Sequence, residues 1–91
     1  MTKPPAIDVT VKRSVGGWIA DVRVGQEGSQ TQHEVAVSEA DLVRYGGEDP
    51  ADLVRRSFEF LLDREPATSI LRRFELSDIQ RYFPEFGRQR L

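Results

Sequence analysis

Residues 6–24 read AIDVTVKRSVGGWIADVRV, and this stretch decides the fold. Apolar and polar side chains alternate over 7–11, which is the period of a strand that buries one face. Gly16 and Gly17 follow, and glycine readily adopts the positive φ angles that a tight hairpin turn requires. The alternation resumes over 18–24. The stretch therefore predicts two antiparallel strands joined by a hairpin.

A third strand is predicted at 31–37, after a second Gly-containing loop at 25–29. Two successive hairpins imply an antiparallel meander with the 18–24 strand at its centre. One face of this sheet is apolar, and it needs a covering layer of helices. The opposite face carries the polar side chains Asp8, Thr10, Lys12, Asp21, Arg23, Gln32 and Glu34.

Two helix-start signals follow the strands. Ser38, with an acidic residue three positions later, is close to a capping box and predicts a short helix that ends near Tyr45, before Gly46-Gly47. An Asp-Pro pair then predicts a longer helix over 50–64. This second helix is apolar over a wide arc, so we expect it to lie between two layers, with Phe58 and Leu61 in the core.

Two further helices are predicted at 67–74 and, with Ser77 as its cap, at 77–83. The predicted fold class is α+β: a three-stranded antiparallel β-meander followed by three to four helices packed on one face. We expect one domain at 6–86, between a flexible tail at 1–5 and a basic C-terminal tail at 87–91.

Composition excludes several classes of protein. The 91 residues include no cysteine, which rules out disulfides, thiolate metal sites and a cysteine nucleophile. The formal net charge of −2 provides no overall field that would attract nucleic acid. The first five residues lack the apolar run of an export signal, and no apolar run is long enough to cross a bilayer. We therefore expect a cytoplasmic protein without membrane contact.

The titratable residues do not form a familiar catalytic pattern. His33 is the only histidine, so we expect it to make a structural hydrogen bond rather than to bind zinc or activate a nucleophile. Glu59 and Asp63 are four residues apart and could bind a divalent ion, but a solvated face paired with nearby arginines is the favoured interpretation. We predict no catalytic residue, no cofactor and no metal, and hence no enzyme.

Arginines interleaved with aromatic residues in the C-terminal half are the strongest candidate surface. Three interpretations stay open: a core with salt bridges, a protein interface, or a surface that stacks single-stranded bases. The candidate partner-binding residues are Arg64, Glu65, Arg72, Arg73, Arg81, Tyr82, Phe83 and Phe86. The edge of the third strand is a further candidate, because an open strand edge invites pairing.

Residues 57–86 also follow the pattern SFxFLLxREPxxSILxxFxLxxIxxYFPEF. In this respect the chain resembles a family of short uncharacterised bacterial proteins that share the pattern. The resemblance supports the fold and implies no activity. We therefore predict a small non-enzymatic protein-binding or adaptor module whose partner is another protein or a second copy in a weak homodimer. The alternative is a nucleic-acid-associated accessory protein.

Overall fold

The computed structural model describes residues 4–45 and 48–88. The strands are β1 (Ala6–Ser14), β2 (Gly17–Gln26), β3 (Ser29–Ser38) and β4 (Arg73–Glu75). The helices are α1 (Glu39–Arg44), α2 (Pro50–Leu62) and α3 (Asp78–Tyr82), and short 3-10 turns occur at Ala67–Ser69 and Pro84–Arg88. The predicted stop at Gly46-Gly47, residues 1–3 of the predicted N-terminal tail and residues 89–91 of the C-terminal tail lie outside the described residues.

The four strands form one sheet in the order β1-β2-β3-β4, and the first three make the predicted antiparallel meander. Ala20 of β2 lies opposite Val11 of β1 on one side and Val35 of β3 on the other. Ala20, Val35 and Val37 are buried, as the alternation predicts. The inner face of the meander is therefore the base of the hydrophobic core.

The predicted helix over 67–74 is wrong, because this segment enters the sheet as β4. The N–H of Glu34 donates to the carbonyl oxygen of Arg72 at 2.7 Å, and the N–H of Leu76 donates to the carbonyl oxygen of Ala36 at 2.9 Å. Pairing with β3 is parallel. The physical reason is that these bonds satisfy backbone groups on the edge of β3 that would otherwise be unpaired. The prediction of an open third-strand edge is accordingly wrong between Glu34 and Ala36.

The helix caps agree with the sequence at two of three positions. Ser38 and Asp41 form the complete capping box at the start of α1, with both hydrogen bonds at 3.0 Å. Asp49 caps α2 by accepting from the N–H of Ala51 at 3.0 Å, and the helix ends at Leu62, two residues before the predicted end. Ser77 was predicted to cap α3, but its side chain makes no capping hydrogen bond.

Helix α2 lies between two layers, as its wide apolar arc predicts. Phe58 is fully buried on the sheet side, with its ring 5.3 Å from the ring of His33. Phe60 meets the C-terminal segment instead, with ring centroids 6.0 Å from Phe83 and 5.1 Å from Phe86. The helix thus joins the sheet core to the aromatic end of the chain.

Candidate partner-binding groove

An open groove of about 360 Å³ lies between α3 and the extended segment that leads into β4. Its floor is made by core residues that are nearly inaccessible, Leu61, Ile70 and Ile79. Its rim carries the exposed side chains of Leu71 and Tyr82, which keep 53% and 68% of their surface accessible. Exposed apolar surface around a concave site is a feature of binding sites.

His33 holds one rim of the groove in place. Its Nδ1 lies 2.8 Å from the carbonyl oxygen of Leu71, and its Nε2 lies 2.9 Å from the hydroxyl of Thr31. Because a carbonyl only accepts, Nδ1 carries the proton and donates to Leu71. Only 2% of His33 is exposed. The predicted structural hydrogen bond of His33 is therefore confirmed, and it ties the backbone of Leu71 to the sheet.

Two carboxylates border this apolar groove. Asp78 accepts from the N–H of Glu75 at 3.1 Å and pairs with Arg81 at 3.6 Å. Glu65 is half-buried in the lining, and within the described residues no side chain pairs with its carboxylate. The groove consequently combines apolar surface with one negative charge that the described chain does not neutralise.

The structure brings together part of the predicted surface. Glu65, Tyr82 and Phe83 line the groove, and Arg81 lies beside it through its ion pair with Asp78. These residues meet because the turn after α2 and helix α3 border the same groove.

Arg72 and Arg73 lie elsewhere, at a shallow hollow on the polar side of the sheet. Arg73 pairs with Glu34 at 3.2 Å, and the two residues face each other in the β3–β4 register. This hollow also contains Asp21, so its basic and acidic side chains are mixed.

Arg64 is bound within the fold. Its guanidinium lies 3.5 Å from the centre of the Phe60 ring, and it donates to the Phe60 carbonyl at 2.9 Å and to Glu85 at 3.2 Å. The guanidinium stacks on an aromatic ring and also forms a salt bridge with a carboxylate, and this combination suits arginine rather than lysine. Arg64 therefore joins the end of α2 to the C-terminal turn.

Phe86 lies in the core and is fully buried. Its ring centroid is 4.9 Å from that of Tyr45 and 5.1 Å from that of Phe60. The candidate surface accordingly excludes Phe86.

Sequence reasoning missed Leu71, Ile79 and Asp78 as groove residues. The available signal was the Ile70-Leu71 pair, in which two adjacent apolar residues cannot both face one core from an extended segment. Ile70 is buried and Leu71 is exposed, so the second of the pair forms the rim.

Among the described residues, no cluster of three or more His, Cys, Asp or Glu side chains is placed to bind a metal ion. No helix in the described ranges has both the length and the apolar character needed to cross a membrane. Comparison with protein-family models, curated proteins and solved structures finds no match for this chain.

Proposed function

We propose that this chain is a small, non-enzymatic protein-binding module that recognises a partner segment in the groove between α3 and the extended segment that leads into β4. An apolar side chain of the partner would cover Leu71 and Tyr82, and an adjacent Lys or Arg would pair with Glu65. The observation that carries the proposal is the combination, in one concavity, of an exposed apolar rim and a carboxylate, that of Glu65, which no residue in the described part of the chain neutralises.

The shape of the groove is fixed in the partner-free chain by hydrogen bonds and by packing. Leu71 is fixed through His33, and β4 is fixed by its pairing with β3. Helix α3 is anchored by Ile79, whose side chain is buried. A preformed site loses little conformational entropy when it binds, which favours affinity from a small contact area.

The charges around the groove support a protein partner over nucleic acid. Arg73 and Arg81 each pair with a carboxylate, and Arg64 is stacked on Phe60. The carboxylates of Glu65 and Asp78 at the groove would repel a phosphate backbone. A protein segment with a positive charge beside an apolar side chain therefore matches the site better than a nucleic acid does.

A selection from random linear peptides displayed on phage, with the full chain immobilised, tests this function. We expect enriched peptides to share an aromatic or aliphatic residue next to Lys or Arg. Their binding should fall about tenfold in Leu71→Ser and in Glu65→Lys. Val43→Ser is the matched control for the first variant, since Val43 is exposed in α1, outside the groove. Glu59→Lys is the control for the second, on the exposed face of α2.

Two results would contradict the proposal. One is the absence of any enriched sequence class, or enrichment that all four variants leave unchanged. The other is nanomolar, salt-sensitive binding of a single-stranded RNA or DNA oligonucleotide, measured by fluorescence polarisation, which would favour the nucleic-acid alternative.

A further inference from the structure

The free edge of β1 is the longest unpaired strand edge in the described part of the chain. β1 runs from Ala6 to Ser14, and its ladder with β2 continues without a bulge from Ala6–Gly25 to Ser14–Gly17. No proline lies within it. The opposite edge of the sheet, β4, is only three residues long. Short strands, bulges, prolines and charged side chains protect sheet edges, and of these β1 has only its charged side chains, Asp8, Lys12 and Arg13.

The backbone groups that face outward can be assigned from one hydrogen bond. Arg55 Nη1 donates to the carbonyl of Ile7 at 2.7 Å, so this carbonyl points away from β2. In an antiparallel strand, alternate residues direct their backbone groups to the same side. Val9 and Val11 therefore present their N–H and C=O groups at the same edge, beyond the carbonyl that Arg55 occupies.

The polar face of β1 carries an ordered set of charges. Asp8, Thr10 and Lys12 are exposed, and they alternate with Val9 and Val11, which are half-buried on the inner face. When two copies of this strand pair antiparallel about Thr10, Asp8 of each copy lies opposite Lys12 of the other. Val9 then lies opposite Val11 across the new ladder.

Neighbouring registers lose this complementarity. Pairing centred on Val9 sets Asp8 opposite Thr10, and pairing centred on Val11 sets Thr10 opposite Lys12. Pairing centred on Asp8 or on Lys12 places two like charges opposite each other, which destabilises a sheet. All of these registers keep the outward backbone groups facing each other, but only the one centred on Thr10 pairs both charges with opposite partners.

We infer that a second copy of this chain binds along β1, antiparallel and centred on Thr10, to form a two-fold symmetric homodimer with one continuous sheet. Each good cross-strand pair contributes modestly, so the dimer is weak. This inference rests on the edge of β1 alone and does not depend on the function of the groove.

A single-cysteine scan of the full chain tests the register, because the protein has no cysteine of its own. The two Thr10 residues form a non-hydrogen-bonded pair, in which the Cα atoms are about 4.5 Å apart and within disulfide range. Thr10→Cys should cross-link with itself under mild oxidation. Lys12→Cys should not, because its two copies lie about 13 Å apart along the strand. Cross-linking at Lys12 without cross-linking at Thr10 would overturn the register.

Charge reversal tests the same pairing without a covalent bond. Asp8→Lys and Lys12→Asp should each weaken dimerisation about tenfold in sedimentation equilibrium, since each creates like-charge pairs. An equimolar mixture of the two variants should dimerise again, because every facing pair is then opposite in charge. Glu27→Lys, at the turn between β2 and β3, makes the same charge change as Asp8→Lys and should leave dimerisation unaltered.

Circular dichroism would establish that each variant folds. A wild-type chain that remains monomeric at millimolar concentration would overturn the inference. So would an equimolar mixture of Asp8→Lys and Lys12→Asp that dimerises no more tightly than either variant alone.

Discussion

The Nδ1–H of His33 donates a hydrogen bond to the carbonyl oxygen of Leu71 at 2.8 Å, and this bond joins the centre of the sheet to the rim of the groove. The histidine comes from β3 and the leucine from the segment before β4. The bond therefore supports both the parallel strand pairing and the position of the exposed Leu71 side chain.

Replacing His33 should reveal this support. His33→Ala leaves the Leu71 carbonyl without its donor and opens a cavity beside Phe58, so we expect a loss of about 3 kcal/mol in the free energy of unfolding. Thr31→Val removes only the hydroxyl that faces Nε2 and should cost about 1 kcal/mol. Urea denaturation measures both. Equal losses in the two variants would show that the bond to Leu71 contributes little.

Phe58 and Tyr82 should differ sharply in their contribution to stability. Phe58 is fully buried against the sheet, where its ring meets those of His33 in β3 and Phe74 in β4, so Phe58→Ala should cost about 3–5 kcal/mol. Tyr82 keeps 68% of its surface exposed, so Tyr82→Ala should change the free energy of unfolding by less than about 0.5 kcal/mol. A large loss in Tyr82→Ala, measured by urea denaturation, would assign that ring to the fold rather than to a binding surface.

Local signals explain what the sequence could predict. The meander follows from strict alternation and from glycines at the turns, and the start of α1 follows from the spacing of Ser38 and Asp41. These features depend on residues close together in the chain. The burial of Phe58 follows from its position in the middle of the apolar arc of α2.

β4 could not be predicted in the same way. Ile70, Leu71 and Phe74 fit a helical spacing as well as an extended one, and the choice depends on pairing with a distant strand. The groove shares this origin, because Leu71 becomes exposed only once β4 is in the sheet. Likewise, composition could not show that Phe86 fills the core while Tyr82 remains at the surface.

The β2–β3 turn offers a stabilising substitution. Glu27 has a φ of 48° and is followed by Gly28 with a φ of 82°, so both turn residues adopt the left-handed region. Asn tolerates this conformation better than Glu, and Asn-Gly is the favoured pair for such turns. We expect Glu27→Asn to raise the free energy of unfolding by about 0.5–1 kcal/mol, because Asn adopts the left-handed conformation at a lower cost than Glu. Gly28→Ala should lower it by about 1 kcal/mol, and a stabilising effect of that control in thermal denaturation would contradict the assignment.

Tyr45 should make stability depend on alkaline pH. Burial raises the pKa of its hydroxyl above the ordinary value of 10.0, an effect that Arg44 partly opposes. The folded protein therefore retains this proton at pH values where the unfolded chain has lost it. The stabilisation is complete below pH 10.0 and is lost as pH rises through the folded pKa.

Urea denaturation at pH values below and above 10.0 tests whether Tyr45 contributes to the loss of stability at alkaline pH. Tyr45→Phe should remove the share of the alkaline loss that comes from the Tyr45 hydroxyl. An identical alkaline loss in wild type and in Tyr45→Phe would exclude Tyr45 as its source.

On our account, the groove binds a partner segment that has an apolar residue next to a basic one. An NMR titration tests this binding most directly. The full chain, labelled with ¹⁵N, is titrated with a peptide enriched by phage selection, and amide shifts are followed residue by residue. We expect the largest changes at Glu65, Leu71, Asp78 and Tyr82, around the groove, and little change along β1. Shifts concentrated on β1 or on the polar face of the sheet, with the groove amides unmoved, would contradict the account.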